Sequence, residues 1–170
     1  CAQKWADMSE DDYGVSLLND CKYGYAAKDG IMSLTLLKAA TYPNPQADRG
    51  HHSFTYALYP HTGNLTNGGT VMEAQKLNKP LLAKKVSKQS GSLPSSYSFV
   101  CCENPDIIIE TIKKAEDSND LIIRLYESCN KRSNANITFG FDISGVALCN
   151  LMEQEIAPVE VKERGITIPI

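Results

Sequence analysis

The sequence predicts an all-β chain in two parts, and three observations carry that expectation. Short apolar runs rich in β-branched, aromatic or leucine residues recur between turn signals, as antiparallel strands do. Asp29-Gly30 separates two such runs and supplies the left-handed geometry of a tight hairpin. Finally, the polar stretch "AKKVSKQSGSLPSS", residues 83–96, holds Gly, Pro and several Ser and reads as a linker between two β regions.

Taken in order, strands are expected over Tyr13 to Asn19, Ile31 to Lys38 and Ser53 to Tyr59. The last alternates, with Phe54, Tyr56 and Leu58 on one face and Thr55, Ala57 and Tyr59 on the other. Between the second and third lies "TYPNPQADRGHH", whose two prolines and glycine forbid regular structure and predict a long surface loop. Val71 to Leu77 carries good helix formers and predicts one or two helical turns. Beyond the linker, strands are expected over Tyr97 to Cys102, Ile107 to Lys114, Leu121 to Glu127, Ile137 to Phe141 and Val146 to Leu151, with a closing pair, Val159 to Lys162 and Gly165 to Ile170. Short strands at this spacing are the pattern of a small sandwich. "DIIIETIKKAEDSND" also fits an amphipathic helix, but Ile107, Ile108, Ile109, Thr111 and Ile112 favour a hairpin strand turning through "EDSND".

At 170 residues, 42% hydrophobic and 22% charged, the chain has the composition of a globular protein with one substantial core or two small ones. A net charge of -3 provides no basic footprint for nucleic acid. Apolar runs fall far short of the roughly 20 residues that cross a bilayer, so no membrane is expected as a partner. Six cysteines without a C-x-x-C pair read as reduced thiols of a cytoplasmic chain, whereas a disulfide framework belongs to smaller, loop-rich secreted domains. The sequons Asn64-Leu65-Thr66 and Asn136-Ile137-Thr138 are explained by the abundance of asparagine. The chain opens on Cys1 and closes on the alternation "RGITIPI", which together lead to the expectation of a piece of a longer polypeptide.

No G-x-S-x-G elbow, P-loop or G-x-G-x-x-G occurs, and no cysteine has a histidine placed nearby to activate it. His51, His52 and His61, close to Asp48 and Glu73, invite a metal or general-base role, but their spacing does not match a helical H-x-x-x-H pair. Loop histidines more often bond backbone or water. The acids of "SEDD" and "EDSND" sit in turns, where solvation is their obvious role, rather than flanking a cleft about 5 to 10 Å apart. The loop "ADRGHH" stands apart: Asp48, Arg49, Gly50 and His51, fenced by prolines, suit a loop that presents a guanidinium to a sugar hydroxyl or a partner. The plain alternative is a solvated arginine beside its counter-ion.

Read together, "KWADMSEDDYGVSLLNDCKYGY", "LTLLKAATYPNPQADRGHHSFTYALYPH" and "EAQKLNKPLL" resemble the C-terminal β-rich part of cytosolic-type α-mannosidases of glycoside hydrolase family 38. The likeness runs from Lys4 to about Leu82, and "IIIETIKKAEDSNDLIIRLYES" resembles the family's later hairpin. The resemblance implies a retaining, exo-acting parent enzyme whose nucleophile and zinc ligands lie in an N-terminal catalytic domain, so no catalytic residue and no metal ligand is assigned here. It also implies a fold: the tail of a large β-sandwich (a mutarotase-like supersandwich) over residues 1–82, the linker 83–96, and a small Ig-like β-sandwich over 97–170. In the family's Golgi and lysosomal branches an arginine of an Asp-x-Arg-Gly loop points at the bound sugar. Asp48-Arg49-Gly50 is the nearest equivalent, with Asp and Arg adjacent.

The polar residues Asn19, Asp20, Lys22 and Tyr23 at a strand end would then face the catalytic domain or hold the "ADRG" loop, Asp20 by pairing with Arg49. Partners implied are that catalytic domain, mannose-containing oligosaccharide and, through an exposed sheet, a second copy of the chain. Two rival readings belong to other classes. A carbohydrate-binding β-sandwich module draws on Trp5, Tyr23, Tyr25, Tyr42 and Tyr59. A mutarotase-like epimerase would use a His acid and a Glu base from among His51, His52, His61 and Glu73.

Overall fold

The computed structural model describes residues 1–170, and contacts divide the chain into two compact units, Cys1–Lys85 and Val86–Ile170. Apart from one short helix, the regular elements are β-strands.

In the first unit, β1 (Trp5–Ser9), β2 (Tyr13–Asn19) and β5 (Tyr56–Thr62) form an antiparallel sheet in the order β1-β2-β5. The turn between β1 and β2 is closed by the Glu10 amide donating to the Tyr13 carbonyl at 2.8 Å. β2 is central because it pairs with β1 on one side and β5 on the other, and its Leu17 and Leu18 are buried. The short ribbon of β3 (Gly24–Lys28) and β4 (Ile31–Thr35) turns through Asp29 and Gly30 at φ 53° and 75°, the two left-handed residues expected of that hairpin. Helix α1 (Thr70–Asn78) lies against β1 and β2. Its last residue anchors it, since Asn78 Nδ2 donates to the Asn19 carbonyl at 2.9 Å.

Tyr13–Asn19 and the helix lie where the sequence places them, while other bounds shift. The strand expected to reach Lys38 stops at Thr35, where pairing with five-residue β3 ends and the Lys38 amide turns to Asp48. The strand expected from Ser53 starts at Tyr56 and continues to Thr62, because β2 supplies a ladder from Asn19 to Tyr13. β1 escapes the sequence pattern: its residues facing α1 include Asp7, a polar residue in an apolar place.

In the second unit, β9 (Asn134–Phe139) is flanked by β6 (Val100–Cys102) and β12 (Gly165–Pro169). β7 (Ile107–Lys114) pairs with β8 (Leu121–Glu127), as the hairpin reading requires, with a bulge at Ile109/Thr111. β10 (Val146–Cys149) pairs with β11 (Glu155–Val159). Ile107, Ala135, Ile137, Phe139 and Ile166 form the core. The expected closing pair is corrected here. Ile166 belongs beside Ile137, so β12 joins β9, and only an isolated bridge, Lys162 to Gly165, links the segments thought to pair.

Candidate functional site

The proline-fenced loop holds itself together. The Asp48 carboxylate accepts from the Ala39 amide at 2.8 Å and the Lys38 amide at 3.4 Å, drawing the two ends of the loop together. Those backbone donors, with minor help from His52 and Lys22, hold its pKa below the usual carboxylate value. Asp48 itself takes φ 58° and Gly50 φ 120°, so the tip is a left-handed turn where a β-carbon at Gly50 would be strained. His52 Nε2 donates to the Asp48 carbonyl at 2.8 Å. Asn44 Oδ1 accepts from the Gln46 amide at 2.9 Å, closing a second small turn.

Arg49 is exposed, and its Nη1 donates to Gln46 Oε1 at 2.8 Å. The expected Asp20–Arg49 pair is not formed. Asp20 instead accepts from the Thr55 amide on both oxygens at 3.0 Å, fixing the point where the loop re-enters β5. The Cys21 thiol and the Thr55 amide lower the Asp20 pKa by bonding its charged form. Beside it, Lys22 Nζ sits 4.7 Å from the Phe54 ring centroid. The physical reason for the difference is reach: the Thr55 amide, one position before the Asn19–Tyr56 ladder pair, needs an acceptor, and Asp20 follows β2 directly.

Asn19 is buried, and each of its polar groups is used. Its Oδ1 accepts from the Cys21 amide at 2.9 Å and from the Lys22 amide, while Nδ2 donates to the Tyr25 hydroxyl. That hydroxyl donates onward to the Leu17 carbonyl at 3.1 Å. Tyr23 is exposed, and its carbonyl accepts from the Ala2 amide at 3.1 Å. The structure therefore gathers Asn19, Asp20 and Tyr23 at one strand end with the base of the loop, and leaves Arg49, Gly50 and His51 exposed at its tip.

Sequence reasoning misses a second constellation, under α1. Ser16 Oγ donates to Asp7 Oδ1 at 2.6 Å, which leaves the Thr70 hydroxyl as donor to Ser16 Oγ at 2.6 Å. His61 Nε2 lies 2.8 Å from the same Asp7 oxygen, and Nδ1 donates to the Gly63 carbonyl at 3.1 Å. Burial raises the Asp7 pKa, but hydrogen bonds from Ser16, His61 and Ser9 outweigh it and the net direction is down. A β-carbon at Gly14 or Gly68 would overlap the His61 ring, so both glycines are required by packing.

Serine, histidine and aspartate in contact suggest a nucleophilic triad, but the wiring forbids it. The serine must donate to the histidine, and here it donates to the aspartate. The Asp7 and His61 side chains are only 4% and 2% exposed, leaving no room for a substrate. The cluster stitches β1, β2, β5 and the start of α1 together. The only sequence signal for it was a histidine at the end of an alternating strand, and its partner stands 54 residues earlier.

Asp106, Glu127 and Cys129 bring ligand atoms within 4.8 Å of one another, the spacing of a metal site. Their protons and charges are already committed. Glu127 accepts from the Cys129 and Lys131 amides at 2.7 and 3.0 Å, and Lys131 Nζ lies 3.0 Å from Asp106. Burial raises the Cys129 thiol pKa, which opposes the thiolate that zinc requires. The donor set does not fit zinc.

With this geometry in place, comparison with known proteins defines the class. The family model "Glycosyl hydrolases family 38 C-terminal domain" matches residues 1–46, and "Glycosyl hydrolases family 38 C-terminal beta sandwich domain" matches 106–170. The chain belongs to the C-terminal β region of glycoside hydrolase family 38. It is 38% identical over 156 residues to alpha-mannosidase 2C1 of Homo sapiens, and 37% identical over 158 residues to alpha-mannosidase G of Dictyostelium discoideum. These alignments cover 90% and 89% of this chain but only 15% and 14% of the relatives. A crystal structure of a family 38 protein from Enterococcus faecalis superposes over 97% of this chain and 22% of its own, with a TM-score of 0.75 at 18% identity, which supports the fold.

Proposed function

We propose that this chain is the C-terminal scaffold and active-site wall of an α-mannosidase that removes terminal α-mannosyl residues from oligosaccharides. The observation that carries the reading is the alignment itself. Nine-tenths of the chain matches the α-mannosidase 2C1 relative yet accounts for 15% of its length. The remaining length of such a parent is where the reading places nucleophile, general acid and zinc ligands, with 83–96 as a linker between two β parts. The local chemistry agrees with a supporting role: Asp7, His61 and Ser16 bind one another rather than a cleft, and the Asp106 cluster is internally satisfied. Reduced cysteines and likeness to a cytosolic-type family branch make the cytoplasm the proposed site of action. No helix is long and apolar enough to cross a membrane.

The loop tip at Asp48, Arg49, Gly50 and His51 is the proposed contact with the sugar or its pocket. Its guanidinium is exposed and its backbone is fixed from both ends. In the full-length protein, Arg49→Ala is expected to lower kcat/KM by roughly ten- to a hundredfold, the scale of a charged hydrogen bond worth about 1.5 to 3 kcal/mol. Arg49→Lys is expected to recover only part, since lysine keeps the charge and loses the planar fork. Steady-state kinetics with unchanged thermal unfolding test this; wild-type kcat/KM in both variants would remove Arg49 from the wall.

A further inference from the structure

The proline-fenced loop carries an aromatic side chain that the fold leaves in water. Tyr42 is 87% exposed, more than any other tyrosine, phenylalanine or tryptophan of the chain. A ring so placed gains little of the burial energy that aromatic residues bring to a fold, so Tyr42 adds little to the stability of its own unit. Tyr13 and Tyr56 differ, since they lie on β2 and β5 and are only 55% and 56% exposed.

The backbone that presents this ring is fixed. Asp48 accepts from the Ala39 amide at 2.8 Å, which closes residues 39–48 into a ring that contains Tyr42. Within it the Ala47 amide donates to the Asn44 carbonyl at 3.1 Å, and the Arg49 amide donates to the Gln46 carbonyl at 3.3 Å, so successive turns run from the prolines to the arginine. Pro43 and Pro45 fix their own φ and restrict the residues before them, Tyr42 and Asn44. A side chain on so constrained a backbone loses little freedom when something binds it. One closed loop thus offers two kinds of chemistry: the flat face of Tyr42, polar only at its hydroxyl, and the exposed planar fork of Arg49.

We propose that Tyr42 is a specificity-determining residue whose ring stacks on the sugar unit next to the terminal mannosyl residue, on the leaving-group side of the bond that is cut. The proposal rests on the reading that this loop reaches the sugar in an α-mannosidase. A pyranose has C–H groups on its ring faces and hydroxyls around its edge, so it matches an aromatic face with hydrogen-bond donors in the same loop. The terminal unit is enclosed by reacting groups that the reading places outside this chain. The next unit stands toward solvent, and a ring that is apolar in body and polar at its tip suits such a half-wet position. Stacking there is equally strong before and during bond breaking, so it lowers KM and leaves kcat unchanged.

Steady-state kinetics of the full-length protein on two substrates test the assignment. An α-linked mannobiose has a second sugar ring, and α-mannosyl fluoride has none. Tyr42→Ala is expected to raise KM for the mannobiose roughly three- to tenfold at unchanged kcat, the scale of a lost stacking contact, and to leave kcat/KM for the fluoride at the wild-type value. Tyr42→Phe keeps the face of the ring and is expected to keep the wild-type KM for both. Equal losses on the two substrates overturn the proposal by making Tyr42 a packing residue of the assembled enzyme. Tyr42→Phe as impaired as Tyr42→Ala overturns it as well, since the hydroxyl and not the ring would then be what binds. Unchanged kinetics of Tyr42→Ala on both substrates defeat this inference alone, whereas failure of the wild-type protein to hydrolyse either substrate defeats the functional reading.

Discussion

The two units of the chain build their interiors from different chemistry. In the second, Ile107, Ala135, Ile137, Phe139 and Ile166 pack without a polar partner. In the first, Leu17, Leu18 and Ala74 share the interior with Ser16, Asn19, His61 and Thr70. An apolar interior depends on volume, which several side chains can fill. A polar interior depends on each donor meeting its acceptor, and losing one partner strands another. The first unit is thus the more specified and the more fragile, and it also bears the loop that the reading places at the sugar.

The largest expected effect comes from breaking that polar centre. Asp7→Ala removes the acceptor of both Ser16 and His61, and a buried pair broken on one side typically costs about 3 to 5 kcal/mol. Thermal unfolding followed by probes in each unit should show the first unit destabilised and the second unchanged. A loss below about 1 kcal/mol would mean that solvent reaches the cluster.

A smaller or equal loss is expected from Ile137→Ala in the other interior. Ile137 is 2% exposed, and cavity formation of this kind costs about 2 to 5 kcal/mol, here confined to the second unit. Ile137→Val should cost only about 0.5 to 1.5 kcal/mol, whereas no conservative swap rescues Asp7. Denaturant titration of each variant sharpens the contrast; equal tolerance in the two units would erase it.

Acid should separate the units more gently. Asp7, Asp20 and Asp48 all have lowered folded pKa values, so each contributes stability above the unfolded value near 3.9 that is lost as pH falls through the lower folded one. Asp106 and Glu153 in the second unit shift the same way, through Lys131 and Lys113, and solvent screens them, as it does the exposed Asp20 and Asp48, more than it screens Asp7, whose side chain is 4% exposed. Below about pH 4 the first unit is expected to unfold at lower temperature than the second, and Asp7→Asn to flatten its pH dependence. Parallel loss in both units would deny the buried Asp7 its special weight.

Much of this architecture was legible where pattern and burial coincide. Ile107–Lys114 and Leu121–Glu127 announced themselves by β-branched residues, and Asp29-Gly30 by turn chemistry. β1 was not legible, because an inward Asp7 breaks the alternation that marks a strand, and its justification is a histidine far along the chain. The closing strands were misassigned because sequence proximity favours Lys162 and Gly165, while Ile166 finds its apolar neighbour on β9. At the loop, the sequence identified the exposed Arg49 and the polar strand end, but charge complementarity suggested an ion pair where a backbone amide took Asp20 instead. Side-chain charges are visible in a sequence; unpaired backbone donors are not.

The role proposed for this chain is to supply structure to a mannosidase and none of its reacting groups. The direct measurement is release of chromophore from an α-mannoside by residues 1–170 alone, with and without added zinc, beside the full-length protein. Turnover by the full-length protein and none by the chain above a heat-inactivated control is the predicted result. Hydrolysis by residues 1–170 alone would contradict it and return Asp7, His61 and Arg49 to consideration as chemistry.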